Sequence, residues 1–307
     1  MPEIALRGVV PIIPTPFVPE TEAVDLAALR RLIDFAVEIQ MPAVCLPAYA
    51  SEFYKLSETE RLQVVETAVQ QAAGRVKIIA QSNHPSLKLA QEIAHRNESL
   101  GADLISFAIP RLFGLGADDV LDYCRGMCEA VQRPVLIQDF NPNGPTVGAE
   151  FARRLREACP NFCYLKLEEP LMGAKVTAIR EATDGAIGVL EGWGGMYTLE
   201  LIPYGICGLM PGLAAADVLA HVWRLGQESR WAEAMDVFQQ LLPQLVFSLQ
   251  NMELFHHLEK RLLVARGVLE HAVVRRASLT PDPQVLAYGE FLNQRVLEAV
   301  AELELVM

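Results

Sequence analysis

Eight short apolar runs, each followed by an amphipathic stretch, constrain this 307-residue chain more than any other feature. The runs are GVVPIIP (8–14), AVCLPA (43–48), VKIIAQS (76–82), LISFAIP (104–110), PVLIQDF (134–140), CYLKLE (163–168), IGVLEG (187–192) and GICGLMPG (205–212). Each has the length of a parallel strand buried on both faces, which lacks polar alternation because helices cover it. Between them, 25–40 places Leu26, Leu29, Leu32, Ile33 and Ala36 on one helical face. The stretch 57–72 opens with Ser57 and Glu60 in capping-box spacing. The stretch 85–101 stops at Gly101, and 118–131 starts from acidic residues that suit a helix N-terminus. Later connections at 148–160, 171–183, 195–204 and 214–227 complete the alternation.

Eight β–α units predict a parallel α/β fold. They are complete by about residue 228, which favours a closed (β/α)8 TIM barrel over an open doubly wound sheet. The barrel is expected over 1–228. The remaining 229–307 shows helical periodicity and no strand pattern, and is expected to form a C-terminal helical extension packed on the barrel.

The net charge of −12, with no Lys/Arg cluster longer than a pair, excludes a nucleic-acid or anionic-membrane surface. The opening residues lack a basic segment followed by an apolar core, and no run has membrane-spanning length, so a cytoplasmic location is expected. Six cysteines without a CxxC pair read as reduced core residues, and no metal site is expected. No GxGxxG follows the first run and no phosphate-binding Gly-rich Lys-Ser/Thr loop occurs, so no nucleotide cofactor is expected. A small-molecule substrate is the remaining kind of partner.

Lys166 lies inside the apolar run CYLKLE, where an ammonium is expensive. Tyr164, Lys166 and Glu168 alternate onto one strand face, and Lys166 falls near the strand's C-terminal end, where barrel chemistry collects. Burial favours the free amine of lysine, and a free amine attacks a ketone to form a Schiff base. A structural pair with Glu168 or Glu169 is the competing reading. Other strand ends add polar or compact groups: Gln138-Asp139, Tyr49-Ala50-Ser51, Glu191-Gly192-Trp193 and Met210-Pro211-Gly212. Together they outline a rim pocket with a lysine at its floor.

These residues resemble the pyruvate-dependent class I aldolases typified by dihydrodipicolinate synthase and N-acetylneuraminate lyase. The resemblance runs from GVVPIIPTPF (8–17) through SEFYKLSETER (51–61), GADLISFAIP (101–110) and PVLIQDFNP (134–142) to YLKLEEP (164–170). It implies a (β/α)8 barrel with a helical extension, a Schiff-base lysine at Lys166, no cofactor, and a homo-oligomer, tetramer or dimer. It further implies a lyase, aldolase or dehydratase, acting on pyruvate, a related 2-oxo acid or a 2-keto-3-deoxy sugar acid.

The departures are specific. Where the family carries Tyr-Asn, this chain has Gln138-Asp139, and an amide cannot give up and regain a proton as a phenol does. Ala48-Tyr49-Ala50-Ser51 replaces Gly-Thr-Thr-Gly, and NPNGPTVG (141–148) lacks the arginine that clamps a second carboxylate. Dihydrodipicolinate synthase itself is therefore not expected. Lys166, Tyr49 and Gln138 are the expected catalytic positions. Ala50, Ser51, Asp139, Glu168, Glu191, Trp193 and Met210 are the expected substrate-binding ones. A non-catalytic binder of 2-oxo acids, or a barrel enzyme that does not use the lysine, stays open.

Overall fold

In a computed structural model, which describes residues 6–142 and 144–304, the apolar runs become eight parallel strands. They are β1 Gly8–Val9, β2 Ala43–Leu46, β3 Lys77–Gln81, β4 Leu104–Ala108, β5 Val135–Asp139, β6 Phe162–Leu167, β7 Gly188–Glu191 and β8 Gly208–Leu209. Their order, β1-β8-β7-β6-β5-β4-β3-β2, leaves β1 and β2 as the two ends of one sheet. Ile12 joins those ends by bridging Cys45 on one side and Gly212 on the other, so the sheet closes into a TIM barrel. Closure rests on single bridges because Pro11 and Pro14, with no N–H to donate, interrupt the first run. Ile13 N–H donates to Cys45 O and Cys45 N–H to Pro11 O, both at 3.0 Å. The first and last runs thus supply two-residue ladders, shorter than their apolar length predicts.

Helices α1 Leu26–Glu38, α2 Glu58–Ala72, α3 Leu87–Ser99, α4 Ala117–Glu129, α5 Ala149–Ala158, α6 Gly173–Ala182, α7 Thr198–Leu201 and α8 Ala216–Gln227 surround the strands. Asp25 caps α1 by accepting from Ala28 N at 2.9 Å, and the Ser57–Glu60 capping box starts α2. Gly101, at φ 97°, lies just past α3 in a conformation that only glycine adopts freely.

Val10, Ile12, Cys45, Ile79, Leu104, Leu136, Tyr164 and Leu190 fill the barrel interior. Three further helices follow: α9 Trp231–Ser248, α10 Met252–Ala265 and α11 Pro283–Glu304. Phe238, Leu241, Leu262 and Val296 of these helices share one continuous core with Val9, Leu29 and Leu219 of the barrel. Among the described residues no helix is long and apolar enough to cross a membrane.

Candidate active site

Strand register sets the floor. Ala108, Gln138, Lys166 and Leu190 stand side by side across β4, β5, β6 and β7. Leu136 and Tyr164, two residues earlier on their strands, lie in the interior cluster, so Gln138 and Lys166 also face inward. Lys166 is 6% exposed, and its Nζ lies 3.0 Å from Glu168 Oε1. Gln138 Nε2 donates to that same oxygen at 2.5 Å, and Gln138 Oε1 accepts from Gln81 Nε2 at 2.6 Å. Two amides thus orient one carboxylate against one amine. Glu169 is engaged elsewhere, pairing with Lys175 and accepting from Thr146 N at 2.7 Å. The lysine's partner is Glu168.

Glu168 sits at the base of a cavity of about 720 Å³. Gly192 leaves the room for it: a Cβ there would lie 2.4 Å from Glu168 Cγ, 2.9 Å from Leu167 O and 3.0 Å from Lys166 Cε. The walls come from Tyr49 and Phe53 of the β2–α2 connection, Phe140 after β5, Trp193 after β7, and the turn between α9 and α10.

The expected site residues divide into three groups. Tyr49, Glu168 and Trp193 line the cavity, and Lys166 and Gln138 lie directly behind Glu168. Burial raises the pKa of the Tyr49 phenol, as does the charge of Glu168, so it stays protonated near neutrality. Ala50, Ser51, Asp139, Glu191 and Met210 are not on the lining. Ala50 and Met210 pack with the interior cluster. Ser51 is fully buried, its carbonyl accepting from Thr15 Oγ1 at 2.6 Å and its hydroxyl without a partner among the described residues. Asp139, 0% exposed, accepts from Arg111 Nε at 2.9 Å and Nη2 at 2.7 Å, and from Val147 N at 2.7 Å. Its carboxylate is therefore occupied by the rim itself.

Arg111, which lines the cavity, has no counterpart in the sequence reading. The available signal was an arginine directly after Pro110, ending one strand, with an acid ending the next. Asn83 is a second such residue: its Oδ1 accepts from Ala108 N at 2.7 Å, and its Nδ2 is buried without a partner among the described residues.

Glu191 holds the glycine loop after β7. Its oxygens accept from Trp193 N at 3.0 Å and Gly195 N at 2.7 Å. Burial pushes its pKa up to about 7, against the lowering effect of the Gly195 N–H and the Lys166 charge. A folded-state pKa above the unfolded value means the native state binds more protons between about pH 4.5 and 7. The stabilisation is complete below that window and is lost as pH rises through 7. Glu191→Gln mimics the protonated form, so the urea midpoint of wild type relative to this variant is expected to fall between pH 5 and 8. A difference independent of pH would remove that assignment.

Among the described residues no three His, Cys, Asp or Glu side chains are grouped to hold a metal ion, and the six cysteines are free. A closed barrel with a lysine–carboxylate pair beneath a rim cavity defines an α/β-barrel protein built for small-molecule chemistry at its C-terminal face. The chain belongs to the Dihydrodipicolinate synthetase family, whose sequence model matches residues 5–281. It is 26% identical over 241 residues to L-2-keto-3-deoxyarabonate dehydratase of Azospirillum brasilense, covering 77% of this chain and 78% of that protein. A dihydrodipicolinate synthase from Rhodopseudomonas palustris superposes with a TM-score of 0.87 at 23% identity, covering 95% of this chain and 98% of that one. YagE, a prophage protein of this family from E. coli K12 solved in complex with pyruvate, superposes at 0.85 and 18% identity, covering 94% and 98%. At these identities the superpositions speak to fold.

Proposed function

We propose that this protein is a lyase that forms a Schiff base between Lys166 and the ketone of a 2-oxo acid. The observation that carries this reading is the buried Lys166 amine 3.0 Å from Glu168, a carboxylate that opens onto the cavity. The relatives support it: the Azospirillum protein is named for a dehydratase acting on a 2-keto-3-deoxy acid, and YagE was solved with pyruvate.

In this reading a proton passes from the ammonium to Glu168 and frees the amine, which attacks C2 of the substrate. Glu168 returns that proton to the departing carbinolamine hydroxyl, so that water leaves and the cationic imine remains. The imine draws electrons from C3. A proton lost from C3 to Glu168 gives an enamine, which either adds to an aldehyde or expels a hydroxyl from C4 as water. Gln138, which carries no transferable proton at neutral pH, fixes Glu168 through its 2.5 Å bond. Glu168 thereby takes the proton-moving part that a tyrosine plays in the family, and Gln138 positions it.

Borohydride reduction in the presence of pyruvate tests the reading. One reduced adduct is expected, mapped by peptide mass spectrometry to Lys166 and absent in Lys166→Ala. No adduct with any of a panel of 2-oxo acids would remove the reading.

A further inference from the structure

Glu168, with Lys166 behind it, forms the floor of the cavity; the walls above it select what else enters. They are mainly carbon. Tyr49 and Phe53 pack edge to face with ring centroids 5.0 Å apart. Across the mouth, Phe140 and Trp193 lie 5.6 Å apart. Leu249 and Met252, flanking the turn between α9 and α10, also line the space.

Several polar groups on this lining are engaged in holding the frame. Arg111 directs Nε and Nη2 to Asp139. His84 Nδ1 accepts from Ser86 N at 2.9 Å, and Asn251 Oδ1 caps α10 by accepting from Glu253 N at 2.8 Å. Asn83 Nδ2 remains as a buried donor with no partner among the described residues. A polyhydroxylated chain placed here would set hydroxyls against a mainly carbon wall, exchanging water partners for few. An aryl group would leave water for surfaces that match it, including ring edges and faces.

We propose that, on the Schiff-base reading above, the site is selective for 2-oxo acids whose far end is aromatic or similarly bulky and apolar. The corresponding cleavage substrate is a 4-hydroxy-4-aryl-2-oxobutanoate. Its C3–C4 bond breaks, the electron pair flows into the iminium to give the enamine, and the C4 hydroxyl proton passes to Glu168. The aryl aldehyde departs. Protonation of C3 and attack of water on the imine then release pyruvate. The Asn83 amide donates to an oxygen on this half of the substrate.

Borohydride trapping with three probes tests the inference and separates it from the reading beneath it. Pyruvate reports imine formation alone. The half-saturating concentration for trapping 4-phenyl-2-oxobutanoate is expected to be at least about tenfold lower than for 4,5-dihydroxy-2-oxopentanoate. Phe140→Ala and Trp193→Ala should each bring the two values within about threefold. Phe140 is 37% exposed, so its truncation leaves the fold standing. Equal or reversed half-saturation with pyruvate still trapped overturns the selectivity alone, as does a ratio unmoved by both variants. Failure to trap pyruvate overturns the imine, and the selectivity with it.

Discussion

Glu168→Gln is expected to lower turnover by about two to four orders of magnitude and to slow, without abolishing, borohydride trapping of pyruvate at Lys166. The separation follows from geometry. Glu168 Oε1 faces both the Lys166 amine at 3.0 Å and the Gln138 amide at 2.5 Å. An amide in place of the carboxylate keeps the shape but accepts no proton, so C3 cannot be deprotonated at a useful rate. The amine itself is unchanged, so imine formation continues more slowly with water moving the protons in place of Glu168. Turnover and trapping measured on the same variant decide the matter. If both vanish together, Glu168 serves to place Lys166; if turnover persists, another group moves the proton.

Lys260→Ala is expected to destabilise the fold by about 3 kcal/mol, read as a lower urea midpoint. Lys260 is fully buried in α10, donating to Glu52 Oε1 at 2.5 Å and Val273 O at 2.7 Å, with its Nζ 4.5 Å from the centroid of the Phe17 ring. Burial lowers its pKa to about 8, although the Glu52 charge opposes that shift. Removing the ammonium leaves Glu52, itself 0% exposed, with Lys55 Nζ at 3.0 Å and Arg275 N at 3.2 Å. Those remaining partners keep the expected loss near the lower end of the range for a broken buried pair. Lys55 also pairs with Glu253 at 2.6 Å, whose other oxygen accepts from Tyr54 at 2.5 Å. A loss below about 1 kcal/mol would mean that water or Lys55 replaces the missing charge.

What the linear order of residues revealed was whatever repeats at short range. Runs two to seven carry ladders of four to six residues, that of run two ending at Leu46 directly before Pro47. Alternation along CYLKLE sufficed to turn Lys166 inward beside Gln138, and the Ser57–Glu60 capping box marked where α2 begins. Runs one and eight disappointed for a local reason, the prolines at 11, 14 and 211. The illegible parts were pairings across large separations. Arg111 finds Asp139 28 positions away on a neighbouring strand, and Lys260 finds Glu52 across 208. No periodicity reports such meetings, since each partner alone reads as an ordinary charged residue. Asp139 and Glu191 were read as facing a ligand for the same reason. Only in three dimensions is one seen to be held by a guanidinium and the other by two backbone N–H groups.

Part of the cavity's wall comes from the segment between α9 and α10, far along the chain from Lys166. One part of the cavity wall is therefore encoded far from Lys166, whereas Phe140 and Trp193 lie close in sequence to Gln138 and Glu191. Variation in that distal segment can redirect which molecules are admitted while the amine, its carboxylate and their amide supports stay as they are. On the Schiff-base reading proposed above, a library confined to 249–252 is expected to change which molecules are admitted while borohydride trapping of pyruvate is retained.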